Sequence, residues 1–284
     1  MINNQIKTVM LLASLSGILL LIGRLLGGTN GLIIALFFAI GMNFFSYWFS
    51  DKIVLKMYKA KLVTKLQQPE LYNIVKDLTK KAKIPMPKIY IIPTETPNAF
   101  ATGRNPEHAA VACTNGVLNL LNKEEIEGVI AHELSHIKHR DILISTIAAT
   151  IATVISFVAS MARWGAIFGG FGGRDRDNSG FIHLIVLGIL TPLIATILQF
   201  AISRSREYLA DEGAAIITRN PKALATALDK IHTGIKHNPL RFGNKTTSSL
   251  FIENPFTSKG FFALFSTHPP TKERIKRLNA MTRK

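Results

Sequence analysis

The side chains whose types and spacing could do chemistry are concentrated in one short run, His132-Glu133-Leu134-Ser135-His136. With 8 His and 11 Glu among 284 residues, chance would put a His-Glu-x-x-His pattern into roughly 1% of chains of this composition. On a helix, residues four apart sit about 40° from each other and ~6 Å along the axis, so both imidazoles can reach one metal ion. Glu133 follows the first histidine directly, where its carboxylate can approach an open coordination position. There it could take a proton from a water whose pKa the metal lowers towards ~7, while the same ion polarises a carbonyl, which is the chemistry peptide hydrolysis requires.

These side chains need a helix, and the surrounding residues predict one. Asn122 precedes Lys123-Glu124-Glu125 as an N-cap with a Glu three positions on, and Ile126, Val129, Ile130, Leu134 and Ile137 then recur at helical spacing. Two histidines do not hold a catalytic zinc, so a third ligand is required. His139 lies ~10.5 Å along the axis from His132, too far for three ligands of one unbroken helix to converge easily. The longer zinc pattern, with Gly three and His six residues beyond the motif, fails because those places hold His139 and Ile142. His139 fits better as an interface residue or a neighbour of the cleft. The stronger candidate is Glu207, in Ser203-Arg204-Ser205-Arg206-Glu207-Tyr208-Leu209-Ala210-Asp211. Asp211 shares its helical face and is placed to accept a ring N–H from a liganding histidine.

Glu207 is 71 residues from His136, and composition explains how the two could meet. The chain is 48% hydrophobic and 18% charged, with 34 Lys+Arg against 18 Asp+Glu. That excludes disorder and suggests membrane spans with basic flanks. Four stretches are long and apolar enough to cross a bilayer: 8–26, 31–49, 142–162 and 181–202. Without a small-x-small site after it, the first reads as a span and not as a cleaved signal peptide. Lys52, Lys56, Lys59, Lys61 and Lys65 follow the second span, Lys138 and Arg140 precede the third, and Arg204 and Arg206 follow the fourth, so both termini and both polar regions are expected on the cytoplasmic side. The third and fourth spans then form a hairpin that goes out and returns, bringing Glu207 back near His132.

The expected fold is a mainly α membrane protein with four transmembrane helices and a cytoplasmic α+β, zincin-like catalytic domain containing a small β-sheet. The expected divisions are a hairpin over 1–50, the first part of the catalytic domain over 51–141, a second hairpin over 142–202 and the second part of the domain over 203–284. The polar segments 51–141 and 203–284 carry 14 basic against 10 acidic and 15 against 6 side chains. Beside a membrane, this basic excess suits anionic lipid headgroups better than nucleic acid, for which no recognition motif is present. The single cysteine, Cys113, excludes an internal disulfide and reads as a small buried hydrophobe. The Gly-rich loop 165–180 reads as a connector between spans.

In sequence the chain resembles the HtpX-type membrane zinc metalloproteases, relatives of the type I CAAX prenyl proteases. The likeness rests on the four spans in this order, Pro97-Asn98-Ala99-Phe100-Ala101-Thr102-Gly103, His132-Glu133-Leu134-Ser135-His136, Ser203-Arg204-Ser205-Arg206-Glu207 with Ala210-Asp211, and Ser266-Thr267-His268-Pro269-Pro270 followed by Arg274-Ile275. The resemblance implies one Zn2+ per chain on His132, His136 and Glu207, with Glu133 as general base. It also implies that His268 donates to the oxyanion across the cleft and that Asn98 contacts the substrate backbone. It further implies a stress-related task in the inner membrane, degrading misfolded or damaged membrane proteins, with other membrane proteases or a second copy of the chain as further partners. Arg274 could pair with Asp211 or Glu207, although no spacing argument supports either.

Ile89-Tyr90-Ile91-Ile92 and the run His108 to Cys113, with Asn115-Gly116 after it, read as short strands and a turn, and an edge strand there could hold an extended substrate. Phe251, Phe256, Phe261, Phe262 and Phe265 read as core or membrane-surface residues in preference to a substrate groove. Two other readings compete with a protease. A non-enzymatic scaffold using zinc for structure would not need Glu133. An intramembrane protease is disfavoured by the charges flanking the motif, Glu124, Glu125 and Glu127 before it and Lys138, Arg140 and Asp141 after it.

Overall fold

The computed structural model describes residues 4–147, 204–243, 245–256 and 269–282. Nearly all of the third and fourth expected spans, the Gly-rich loop, His268, Phe261, Phe262 and Phe265 lie outside the described residues.

The chain opens with α1 (Asn4–Met57), which is helical for 54 residues. In a straight helix, residues 16 and 43 would stand about 40 Å apart. Instead Asn43 Nδ2 donates to Ser16 Oγ at 2.8 Å. The chain therefore reverses between them, at Gly28, whose φ of 57° is open to glycine without steric cost. After this reversal Gly28–Met57 is long and apolar enough to cross a membrane. Along it Ala39, Ser46, Ser50 and Val54 are buried while Ile34, Phe37 and Phe38 point outward.

A four-stranded sheet follows, with β1 (Lys61–Leu62), β2 (Lys88–Ile92), β3 (Ala99–Gly103) and β4 (Ala109–Thr114) in the order β1-β2-β4-β3. β2 and β4 run parallel, and the other two pairings are antiparallel. The segments read as strands from the sequence are thus the two inner strands, so neither offers an edge. The edge is β3, whose five residues are all buried and give no polar–apolar alternation to read. Asn115-Gly116 also departs from expectation, because it begins helix α3 (Asn115–Leu120) instead of making a turn. Thr114 Oγ1 caps that helix by accepting from Val117 N, and at position 116 any Cβ would collide with the Glu95 carbonyl.

Period-two burial divides the sheet. Ile89, Ile91, Val111 and Cys113 face a core shared with α2 (Pro69–Ala82), α4 (Lys123–Lys138) and α6 (Pro221–His237). Ile92, Phe100, Ala110 and Ala112 face a second core, closed by the end of α1 and by the segment around Phe251. Burying each of these large apolar side chains stabilises by about 1.5–3 kcal/mol. α4 starts as the sequence predicts: Asn122 Oδ1 accepts from Glu125 N at 2.9 Å, and the Glu125 carboxylate accepts from Asn122 N at 3.0 Å. α5 (Arg204–Thr218) packs on α4, with Gly213 against Ser135 where a side chain would collide with the hydroxyl. α7 (Thr271–Met281) closes the domain against α5 and α6.

Candidate active site and metal centre

α4 presents His132 and His136 one turn apart, and the close α4–α5 packing at Gly213 brings Glu207 against them. The three ligand atoms lie close together: Nε2 of His132 to Nε2 of His136 is 3.1 Å, His136 Nε2 to Glu207 Oε1 is 3.5 Å and His132 Nε2 to Glu207 Oε2 is 3.7 Å. Ligands at 2.0–2.1 Å from a tetrahedral zinc ion stand about 3.3–3.4 Å from one another. The spacing therefore fits one such ion.

The outer nitrogens settle the chemistry of the inner ones. His132 Nδ1 is 3.0 Å from Asp211 Oδ1, and His136 Nδ1 is 3.2 Å from Asp141 Oδ2. Each carboxylate accepts the Nδ1–H of its ring, which leaves both Nε2 lone pairs facing each other. Two lone pairs 3.1 Å apart need a proton or a cation between them. Net charge points the same way. Four buried carboxylates, Glu133, Asp141, Glu207 and Asp211, surround the site with only two buried guanidinium groups, Arg206 and Arg274, so with neutral histidines a dication would balance them. In this structure His132 bears the imbalance. Burial lowers its pKa, but the Asp211 and Glu207 carboxylates more than reverse this and raise it to about 9.

Glu133 lies beside the cluster with its pKa raised, chiefly by burial and further by Glu207, while the histidines and the Ala101 N–H donated to its carboxylate pull it down. It faces a cleft of about 350 Å³ walled on its apolar side by Ala101, Ile142, Leu250, Phe251 and Ile252. A buried base with raised proton affinity next to a cation site, at the mouth of an apolar cleft, can accept a proton from water and hand it on.

Asp211 is where the sequence placed it, on the Nδ1 side of a ligand. Three residues that serve the site were not identified from sequence. Asp141 holds His136, and a carboxylate just beyond the end of the motif helix was the available signal. Arg274, a paired candidate without a spacing argument, is fully buried; its Nε and Nη2 donate to Asp211 at 2.9 and 2.7 Å and its Nη1 donates to the Ile252 carbonyl at 2.9 Å. Glu253 had no signal at all, yet it anchors Asn98. The Asn98 amide donates to the Glu253 carbonyl at 2.6 Å and its Oδ1 accepts from Ala99 N at 3.0 Å. The structure thus uses this side chain within the protein, to fix the 251–253 segment to β3. His139 is exposed at the C-cap of α4 and stands outside the three-ligand cluster. Phe251 is core, packed edge-on against Tyr58 and Phe100, and also forms part of the cleft wall.

Residues 65–282 match the sequence profile of Peptidase family M48. A protein named Protease HtpX homolog from Desulfatibacillum aliphaticivorans is 56% identical, the match covering 97% of this chain and 89% of that one. Its namesake from Thermococcus sibiricus is 55% identical over 96% and 94%. Among solved structures, that of S. mikatae Ste24p aligns with a TM-score of 0.53 at 20% identity, over 97% of this chain and 65% of that one, a likeness of fold.

Proposed function

The chain belongs to Peptidase family M48, and from that premise we propose that it is a membrane-anchored zinc endopeptidase. The observation that carries the reading is the meeting of His132, His136 and Glu207 ligand atoms within 4.8 Å of one another, with both Nδ1 atoms turned to carboxylates. Zinc held by these three residues would supply a Lewis acid and lower the pKa of a water molecule. Glu133 takes the proton from the attacking water and delivers it to the leaving amine. Asp211 and Asp141 hold the two imidazoles in the tautomer that turns Nε2 inward, and Arg274 fixes Asp211. The outward edge of β3 offers the backbone groups to which an extended peptide can add as a further strand, a contact that reads main chain and so tolerates many sequences.

We assign the helical pair in α1 to the bilayer, supported by outward side chains such as Phe37, 71% exposed and in hydrocarbon at no cost. Two further spans over 142–162 and 181–202, a cytoplasmic catalytic domain and a role in clearing damaged membrane proteins complete the proposal, with His268 as oxyanion donor. The test is cleavage of an unfolded protein such as casein by the full chain in detergent, stripped with chelator and reloaded with zinc, beside Glu133→Gln. The wild type should cut, and the variant should bind zinc without cutting. Equal cutting by both would overturn the assignment of Glu133, and a zinc-loaded wild type that cuts nothing would favour a structural metal site.

A further inference from the structure

Building on the endopeptidase reading, we propose that Leu250-Phe251-Ile252-Glu253 is an autoinhibitory strap that occupies the substrate position on β3 and must be displaced before a peptide can bind. Asn98 O accepts from Thr114 N at 3.0 Å, so the even-numbered residues here turn their backbone groups inward to β4. The groups of Ala99 and Ala101 consequently point outward, toward the cleft. An added strand would need the Ala99 carbonyl as acceptor and the Ala101 amide as donor. Both are engaged: Ile252 N–H donates to Ala99 O at 3.0 Å, and Ala101 N–H donates to Glu133.

Ile252 therefore stands where one residue of an extended substrate would stand, beside the motif glutamate. Its own carbonyl is held by Arg274 Nη1 at 2.9 Å. The next residue is latched at its side chain, because Thr271 Oγ1 donates to the Glu253 carboxylate, 2.9 and 2.8 Å from its two oxygens, and His232 Nδ1 lies 3.0 Å from it. Among the described residues a single backbone hydrogen bond joins the strap to β3. A peptide pairing along more of the edge would exchange that one bond for several, so displacement by substrate is favoured while water alone leaves the strap in place.

Two changes loosen the strap without touching the ligand set. Ile252→Pro deletes the N–H that holds Ala99, and Thr271→Val deletes the latching hydroxyl at nearly constant shape. Measured on casein with the zinc-loaded full chain in detergent, Ile252→Pro should raise kcat/KM about threefold to tenfold, the worth of one hydrogen bond, and Thr271→Val should raise it less. A purely structural role would lower activity instead. Hydrogen exchange supplies a readout independent of hydrolysis: in zinc-loaded Glu133→Gln, an excess of an extended casein-derived peptide should speed exchange of the amides at 250–253. The strap is refuted if the bound peptide leaves exchange there unchanged, or if both variants, folded by melting temperature and zinc content, cut no faster than wild type. If no form cuts but the peptide still speeds exchange at 250–253, hydrolysis fails as the function and the strap stands.

Discussion

Asp211 is held by Arg274 through two parallel hydrogen bonds, Nε to Oδ2 at 2.9 Å and Nη2 to Oδ1 at 2.7 Å, across 63 residues of sequence. The same Oδ1 lies 3.0 Å from Nδ1 of His132. The last helix of the chain therefore fixes the orientation of a ligand on the motif helix, and four consequences can be measured.

Removing the guanidinium should be costly. Arg274→Gln would leave Asp211 buried and unpaired, a loss of about 3–5 kcal/mol for a broken buried pair. A thermal melt of the purified chain should show a much lower transition, whereas Arg277→Gln, which loses an exposed contact with Glu273, should leave it within a degree or two.

Acid should act through the same pair. Burial pushes Asp211 up, but Arg274 and His132 hold it below its ordinary value, so its folded pKa is depressed. Its contribution to stability is then fully present above the unfolded value of about 3.9 and is lost as pH falls through the lower folded value. Melting temperatures of wild type and Asp211→Asn should differ by a constant amount between about pH 5 and 8 and converge below about pH 4.

Metal uptake should expel a proton. With His132 raised to about 9 in the metal-free chain, the ring is largely protonated at neutral pH and must lose that proton to become a ligand. Zinc titrations at pH 7.5 in two buffers of different ionisation enthalpy should show close to one proton released per ion. Above pH 9 the release should fade. The sign is the reverse of that for Asp211, since a raised histidine stabilises the metal-free fold below about 6.5 and this is lost as pH rises through 9.

Cys113 should be inert in the folded chain. It is buried on β4, and burial first, then the nearby Glu133 charge, push its thiol up to about 12. Maleimide should label it only after denaturation. Fast labelling of the native chain would mean that β4 is not buried beneath the motif helix.

Much of this site could be read in the sequence, and what could not has identifiable causes. The His132-Glu133-x-x-His136 geometry and its Asn122 cap were legible because helical spacing and capping are local. Glu207 was legible only through topology, as a residue returned to the motif by an intervening hairpin whose spans lie outside the described residues. Asp141 and Arg274 were not, since one lies just past a helix end and the other meets its partner across tertiary contacts that leave no period in the sequence. β3 escaped for a compositional reason: Ala-Phe-Ala-Thr-Gly is buried on both faces, with small residues where alternation would normally appear. The edge was therefore assigned to its apolar neighbours, which the structure places inside the sheet.

The central claim is that His132, His136 and Glu207 together hold one metal ion. Metal content after zinc reloading and desalting, read by mass spectrometry on wild type, His136→Ala and Glu207→Ala, tests it most directly. The account predicts close to one zinc per wild-type chain and little or none in either variant while both remain folded. A wild type without zinc, or variants that keep a full complement, would contradict it.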